Sequence, residues 1–364
     1  MEKSNKKKIE TYGIKYTGSK LKILPYILDI VKELKDVKTV LDGFAGTTRV
    51  SQALAASGYE VTVNDISIWS KTFANCFLVA KKPDEFYQKY IDELNSLAGK
   101  EGWFTKTYSA ENLKKAPFQT KNLMKLDAIR ERIDEYDLEP VDKDVLLTSL
   151  VFALDKVDST IGHFASYLSE WSPRSYNDLV LTMPKLMRCE QPIKVFDSDI
   201  FKILEDNEWD LAYFDPPYGS NNEKMPPSRV RYASYYHIWK TVILNDKPDL
   251  FGAVGRREDS KDIIAGSRFE EFRKDDSGHY LATEAIRELA YKTKAKYLLF
   301  SYSNGGRATK QELLDIFNEV GTIIKVVEID YKMNVMSGMQ WTYEWLNEER
   351  KNVEYLFLVK KVSF

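Results

Sequence analysis

The sequence predicts an α/β protein whose doubly wound, mixed sheet is interrupted by an inserted, mainly helical domain. Three observations predict it. Residues 39–65 read as strand, glycine turn, helix, strand and acid, one crossover unit of such a sheet. From about residue 77 to 190 the texture changes to charged, helix-spaced stretches joined by polar and aromatic connections. Beyond 190, short apolar runs rich in β-branched and aromatic residues resume. The predicted division is 1–76 and 191–364 for the sheet domain and 77–190 for the insert.

The elements follow in order. Residues 3–8, KSNKKK, form a basic arm of the kind that is usually disordered. Apolar residues at Leu21, Leu24, Ile27, Leu28, Val31 and Leu34 have helical spacing. TVLDGFAG, 39–46, is an apolar run into a glycine turn; Val50–Ala56 reads as a helix ended by Gly58; YEVTVND, 59–65, alternates as a strand does. Within the insert, 84–98, 121–135 and 143–155 read as helices. GWFTKTYS and KKAPFQTKN between them read as loops mixing bases with aromatics, and 158–178 is polar and aromatic without clear period. Strand-like runs then occur at PIKVFDSDI, DLAYFDPPY, AKYLLFSYS, TIIKVVEIDY and VEYLFLVKK, with helical patterns at 282–292 and 309–319.

Composition narrows the function classes. Hydrophobic residues make up 43% of the 364 residues and charged residues 30%, enough for a sizeable core and a soluble surface. No apolar run is long enough to span a bilayer, and the charged start, MEKSNKKKIE, lacks the apolar core of a signal peptide. Cys76 and Cys189 are far apart, with no disulfide framework or zinc spacing, and His163, His237 and His279 have no partner spacing. The expectation is a cytoplasmic protein with no metal and no membrane association. The formal net charge of −2 means that binding to nucleic acid would need a local basic face.

Four constellations carry chemistry. In LDGFAGTTRVS, 41–51, Gly43 and Gly46 permit a tight turn and close approach to a ligand, and the following helix presents free N–H groups. Asp42 at the strand end suits a ligand with a positive centre; an ordinary strand-to-helix turn is the alternative. Asp65, after Asn64, is placed to take two ribose hydroxyls or to cap the next helix. Asp199 and Ile200 supply an acceptor and an apolar wall for an adenine ring, with a helix cap again the competing reading. DPPY, 215–218, is the most specific. Proline fixes φ and holds the preceding residue extended, so the Asp215 side chain and the Pro216 carbonyl become rigid acceptors at a strand's C-terminal edge. Two acceptors facing an aromatic amino group draw its hydrogens and free its lone pair for attack.

These residues resemble the S-adenosylmethionine-dependent, adenine-N6-specific DNA methyltransferases of the DPPY type. KYTGSK, 15–20, is similar to the family's N-terminal cofactor motif; DGFAGTT is similar to its F-x-G-x-G loop, with Thr47 and Thr48 in the last part. Asn64–Asp65 resembles its ribose-binding acid, Ser198–Asp199–Ile200 its G-D-F element, and DPPY matches fully. Cofactor motifs, then an insert, then DPPY is the alpha arrangement. The resemblance covers roughly 1–75 and 190–364. It implies a Rossmann-like class I methyltransferase fold, S-adenosylmethionine as cofactor, an insert that recognises double-stranded DNA, and a target adenine flipped into the pocket. Catalytic roles then fall to Asp215, Pro216, Pro217 and Tyr218, with Tyr218 stacking on the base. Cofactor contacts fall to Lys15, Tyr16, Gly18, Lys20, Asp42, Gly43, Phe44, Gly46, Asp65, Asp199 and Ile200, with Lys15 or Lys20 on the methionine carboxylate. A cognate restriction endonuclease acting separately is the implied partner.

Within this chemistry a cytosine-N4 enzyme would more often show serine at 215, and a protein-glutamine enzyme asparagine. An RNA adenine methyltransferase and a catalytically silent DNA-binding subunit are the rival readings. In the insert, 103–122 and 163–177 suit DNA contact: Lys114, Lys115 and Lys121 to phosphate, Arg174 or Asn177 to base edges. After DPPY, RYASYYHIWKTV either closes over the base or packs a helix face; GRREDSKD reads as a solvated loop; Arg307 is a candidate for phosphate.

Overall fold

The computed structural model describes residues 9–221, 231–261, 267–331 and 352–362. The basic arm at 3–8 lies outside them. Nine strands are described: β1 Thr39–Asp42, β2 Glu60–Asn64, β3 Ile193–Phe196, β4 Trp209–Phe214, β5 Leu250–Phe251, β6 Arg256–Arg257, β7 Ala295–Ser303, β8 Gly321–Tyr331 and β9 Asn352–Lys361. The α-helices are α1 Leu24–Glu33, α2 Arg49–Ala56, α3 Ile68–Ala74, α4 Asp84–Ser96, α5 Trp103–Tyr108, α6 Thr120–Glu135, α7 Pro140–Val157, α8 Ile200–Asp206, α9 Tyr232–Tyr235, α10 His237–Leu244, α11 Leu281–Lys292 and α12 Lys310–Val320.

Seven strands form one mixed sheet in the order β3-β2-β1-β4-β7-β9-β8. β2 pairs parallel with β3, as do β1 with β4 and β4 with β7, while β9 runs antiparallel to both β7 and β8. This is the mixed α/β architecture of a class I methyltransferase. β1 and β4 are buried along nearly their whole length, as strands covered on both faces must be, which is why they read as apolar runs without alternation. A two-stranded antiparallel hairpin, β5–β6, stands apart from the sheet.

The chain divides into two compact units. One comprises Met1–Leu24, Ala45–Ser198 and Tyr232–Ile264; the other comprises Pro25–Phe44, Asp199–Arg231 and Ala265–Phe364. The whole stretch 77–190 lies in the first unit, together with residues from Ala45 onward of the glycine turn, β2, β3 and the α9–α10 segment. The second holds β1, β4, β7, β8 and β9.

The three insert helices expected from spacing are present as α4, α6 and α7. A fourth, α5, forms where a loop was expected. Its first turn is capped by a residue distant in sequence: the buried Asp127 on α6 accepts from the N–H groups of Phe104 at 2.9 Å and Thr105 at 2.8 Å. A remote carboxylate thus satisfies donors that a short segment cannot satisfy by itself. The short helices α3 and α8, each following a strand, also escape periodicity at seven residues.

Candidate active site

The residues singled out above fall in both compact units. In the first, α2 grips the chain just ahead of KYTGSK. Arg49 donates from Nη1 to the Thr11 carbonyl at 2.6 Å and from Nη2 to the Gly13 carbonyl at 3.1 Å. The buried Gln52 accepts the Tyr12 N–H at 2.8 Å and donates to the Tyr12 carbonyl at 2.9 Å. The motif is then clasped from far along the chain. The Tyr16 ring stacks on Tyr236 with centroids 4.6 Å apart and on Tyr232 at 5.4 Å. The Tyr236 hydroxyl accepts the Thr17 N–H at 2.7 Å, and the Tyr232 hydroxyl donates to the Thr17 carbonyl at 3.3 Å. Tyr236, Ile238 and Trp239 are buried, so much of RYASYYHIWKTV packs a helix face.

Lys15 Nζ lies 2.7 Å from Asp158 Oδ1 and 3.7 Å from Asp155 Oδ1, and its N–H donates to Asp155 Oδ2. Burial raises the Asp155 carboxyl to about 6 against the pull of Lys15. Lys15 is therefore paired with acids of the 77–190 stretch, whereas Lys20 is buried within a short 3₁₀ turn, Lys20–Lys22.

Gly46 has φ +51°, and a Cβ there would sit 3.2 Å from the Tyr16 ring, so a side chain at this position would be strained and crowded. Its N–H donates to Asp65 Oδ2 at 2.8 Å, while Asp65 Oδ1 accepts from Ser67 N at 2.8 Å. The N-cap of α3 is Ser67, so Asp65 does not cap that helix; its carboxylate ties the residue before the helix to the glycine turn. Burial raises its pKa despite these two donors. Thr48, in the last part of the loop pattern, adopts φ 62°, an uncommon conformation for a β-branched residue, with its Oγ1 accepting from Gln52 Nε2 at 2.9 Å. Ile66 was not singled out in the sequence. It follows Asp65 directly and is 61% exposed, the signal being an apolar residue placed immediately after a strand-end acid.

In the second unit, β1 and β4 bring Asp42 into register with Tyr213, so Asp42 and Asp215 leave neighbouring parallel strands at the same edge. Asp42 is buried. Gly43 donates its N–H to the Tyr213 carbonyl at 3.0 Å, and a Cβ there would lie 2.5 Å from the Phe214 ring and 3.2 Å from Ile200 Cδ1. The glycine at 43 is thus explained by strand packing, and Ile200 is a buried neighbour of that turn. Phe44 meets Phe214 and Phe269 edge to face. Asp199 caps α8, accepting from Phe201 N at 2.9 Å.

Pro216 is buried, and Asp215, Pro217 and Tyr218 are half-buried. The Tyr218 hydroxyl donates to Glu354 Oε1 at 2.6 Å, which also accepts from Ser301 Oγ at 2.7 Å. Burial first, then the Glu354 charge, raises the Tyr218 pKa, so the phenol keeps its proton. Glu354, nearly buried on β9, is a second residue missed in the sequence, although an acid inside the apolar run VEYLFLVKK is a signal. The Tyr218 carbonyl accepts the Arg307 N–H at 3.0 Å, and Arg307 Nη1 donates to the Glu270 carbonyl at 2.7 Å. Arg307 is 4% exposed, so it braces this loop from inside and does not meet a phosphate at the surface.

In the insert, Lys114 and Lys115 are exposed, while Lys121 pairs with Asp178 at 2.6 Å. Arg174 is tethered: Nε donates to Asp158 Oδ1 at 2.9 Å and Nη2 to the Thr160 carbonyl at 2.8 Å. Asn177 is exposed. In GRREDSKD, Arg257 is buried in a fork with Asp246, so that stretch is less solvated than expected. His237 is buried against the Phe164 carbonyl at 3.2 Å, and His163 stacks on Tyr235. Among the described residues no group of three or more His, Cys, Asp or Glu is arranged to hold a metal, and no helix is long and apolar enough to cross a membrane.

Comparison with known proteins gives a family and relatives. The family described as D12 class N6 adenine-specific DNA methyltransferase matches residues 16–303. Modification methylase LlaI of Lactococcus lactis subsp. lactis is 25% identical over 339 residues, covering 88% of this chain and 51% of that protein. Modification methylase StsI of Streptococcus sanguinis is 25% identical over 369 residues, 96% and 52% of the two chains. Type II methyltransferase M2.HphI of Haemophilus parahaemolyticus is 24% identical over 376 residues, covering 95% of this chain and 97% of that one. The chain spans about half the length of LlaI and StsI.

Proposed function

We propose, from the premise that this chain belongs to the D12 class N6 adenine-specific DNA methyltransferases, that it methylates one flipped-out adenine in a specific sequence of double-stranded DNA. Members of the family use S-adenosylmethionine, whose sulfonium supplies an electrophilic methyl group, and the residues present fit it. Gly46, at φ +51°, keeps the turn free of a side chain beside the Tyr16 ring, and Asp42 is an acid suited to a cationic centre. Asp65 is the acceptor for the ribose, and the exposed Ile66 offers an apolar wall for the adenine of the cofactor.

The observation that carries the reading is the DPPY stretch itself, rigid at the end of the buried strand β4 and braced behind by Glu354, Ser301 and Arg307. Asp215 and the Pro216 carbonyl would accept hydrogen bonds from the two amino hydrogens of the target adenine, which would free the nitrogen lone pair as nucleophile. The proton that nitrogen sheds after transfer would pass to solvent. The half-buried Tyr218 offers its ring to the base, which must leave the duplex to be reached. Catalysis is then alignment and electrostatics, with no proton-transfer group of unusual pKa required.

Sequence recognition is assigned to the insert at about 77–190. A role as the modification partner of a separately acting restriction endonuclease rests on relatives named as modification methylases and a type II methyltransferase. The test is incubation with methyl-labelled S-adenosylmethionine and either duplex DNA or RNA, followed by nucleoside analysis. N6-methyldeoxyadenosine in DNA is expected. Label in RNA alone would favour an RNA enzyme, and duplex binding without transfer a silent subunit.

A further inference from the structure

One buried carboxylate in the first unit holds two cations that the sequence assigns to different tasks. Asp158 follows α7, and its side chain is 2% exposed. Lys15, the first residue of KYTGSK, reaches Asp158 Oδ1 at 2.7 Å. Arg174, from the insert stretch suited to DNA contact, reaches the same Oδ1 at 2.9 Å and the Asp158 carbonyl at 2.8 Å. The node is well built: Ser172 Oγ donates to the Asp158 carbonyl at 3.1 Å, and Thr160 Oγ1 to Asp158 Oδ2. The Arg174 side chain is nonetheless 35% exposed, so an incoming anion can reach its guanidinium.

We propose that Asp158 is a positioning residue through which duplex binding by the insert and cofactor binding by the N-terminal motif are coupled. The proposal rests on the methyltransferase reading above. A buried carboxylate must keep its charge compensated. When a DNA phosphate competes for Arg174, Asp158 is left to Lys15 alone, and their ion pair tightens. Lys15 and the KYTGSK backbone are then more restrained, so less ordering is needed when cofactor binds. The coupling is therefore positive, and by linkage it is reciprocal.

The test is the calorimetric Kd of S-adenosylmethionine, with and without a saturating mixed-sequence duplex, in the wild type, Asp158→Asn and Arg174→Gln. In the wild type, duplex should tighten cofactor binding about fivefold, the lower range for coupled sites. Asp158→Asn should reduce that ratio to near one. Arg174→Gln keeps the Lys15–Asp158 pair, and should bind cofactor without DNA as tightly as the wild type does with it, again with a ratio near one. It also keeps the test decisive if Asp158→Asn does not fold. A wild-type ratio near one, or full coupling retained in either folded variant, overturns the proposal. Absence of any cofactor binding by the wild type overturns the methyltransferase reading instead.

Discussion

The Tyr218 hydroxyl donates to Glu354 Oε1 at 2.6 Å, joining the last residue of DPPY to an acid on β9, 136 positions away. Ser301 on β7 gives a second donor to the same oxygen. The ring proposed to meet the base is thus held at its far end by two strands. Glu354→Ala removes the acceptor and should lower the methyl-transfer rate by about 1.5–3 kcal/mol of barrier, the scale of a hydrogen bond to a charged group. Glu354→Gln keeps an acceptor and should lose less. Single-turnover rates with the cofactor Kd measured alongside check this; equal rates for the alanine variant and the wild type would remove Glu354 from the account.

Asp65→Ala should weaken S-adenosylmethionine binding by about 1–3 kcal/mol, with a smaller effect on the rate at saturation. The motive is that Asp65, proposed as the acceptor for the ribose, also holds Gly46 N and Ser67 N. Titration calorimetry separates affinity from turnover. An unchanged Kd in a folded variant would confine Asp65 to holding Gly46 N and Ser67 N.

His237 gives a prediction for pH. Burial lowers its pKa from 6.5 to about 3, opposed by its contact with the Phe164 carbonyl. The unfolded chain therefore takes up a proton in the window between about 3 and 6.5 where the folded chain does not, so stability is lost as pH falls through that window. From pH 6.5 to 5 this one group should cost about 2 kcal/mol. His237→Gln should flatten that limb of the stability curve, measured by urea unfolding at each pH; an identical slope would contradict the burial argument.

Lys114→Ala and Lys115→Ala should each weaken binding to all duplexes alike and reduce the salt slope of log K by about 1. Both side chains are exposed in the insert. Lys121→Ala should do less, because Lys121 already pairs with Asp178. Fluorescence anisotropy at several salt concentrations measures the slope.

Much of the fold was legible where burial imposes a pattern. β4 and β7 read as strands because both are nearly fully buried. Expectations failed where distant residues decide the outcome. Asp127 makes a helix of GWFTKTYS from more than twenty residues away. Tyr232 and Tyr236 clasp KYTGSK across some 215 positions, which spacing cannot reveal. At Gly43 the sequence shows the need for a glycine but not its packing cause, the Phe214 ring, which lies 171 positions on. Arg307 reads like a surface base after a glycine pair, but the Glu270 carbonyl holds it inside.

The central claim is that Asp215 acts on the target amino group and not on the cofactor. The direct measurement is the single-turnover rate of methyl transfer to duplex DNA by Asp215→Ala, with the S-adenosylmethionine Kd of the same preparation. The account predicts a loss of more than about a hundredfold in rate, as for other positioned electrostatic groups, with cofactor affinity largely kept. Near-normal transfer, or a loss explained wholly by weakened cofactor binding, would contradict it.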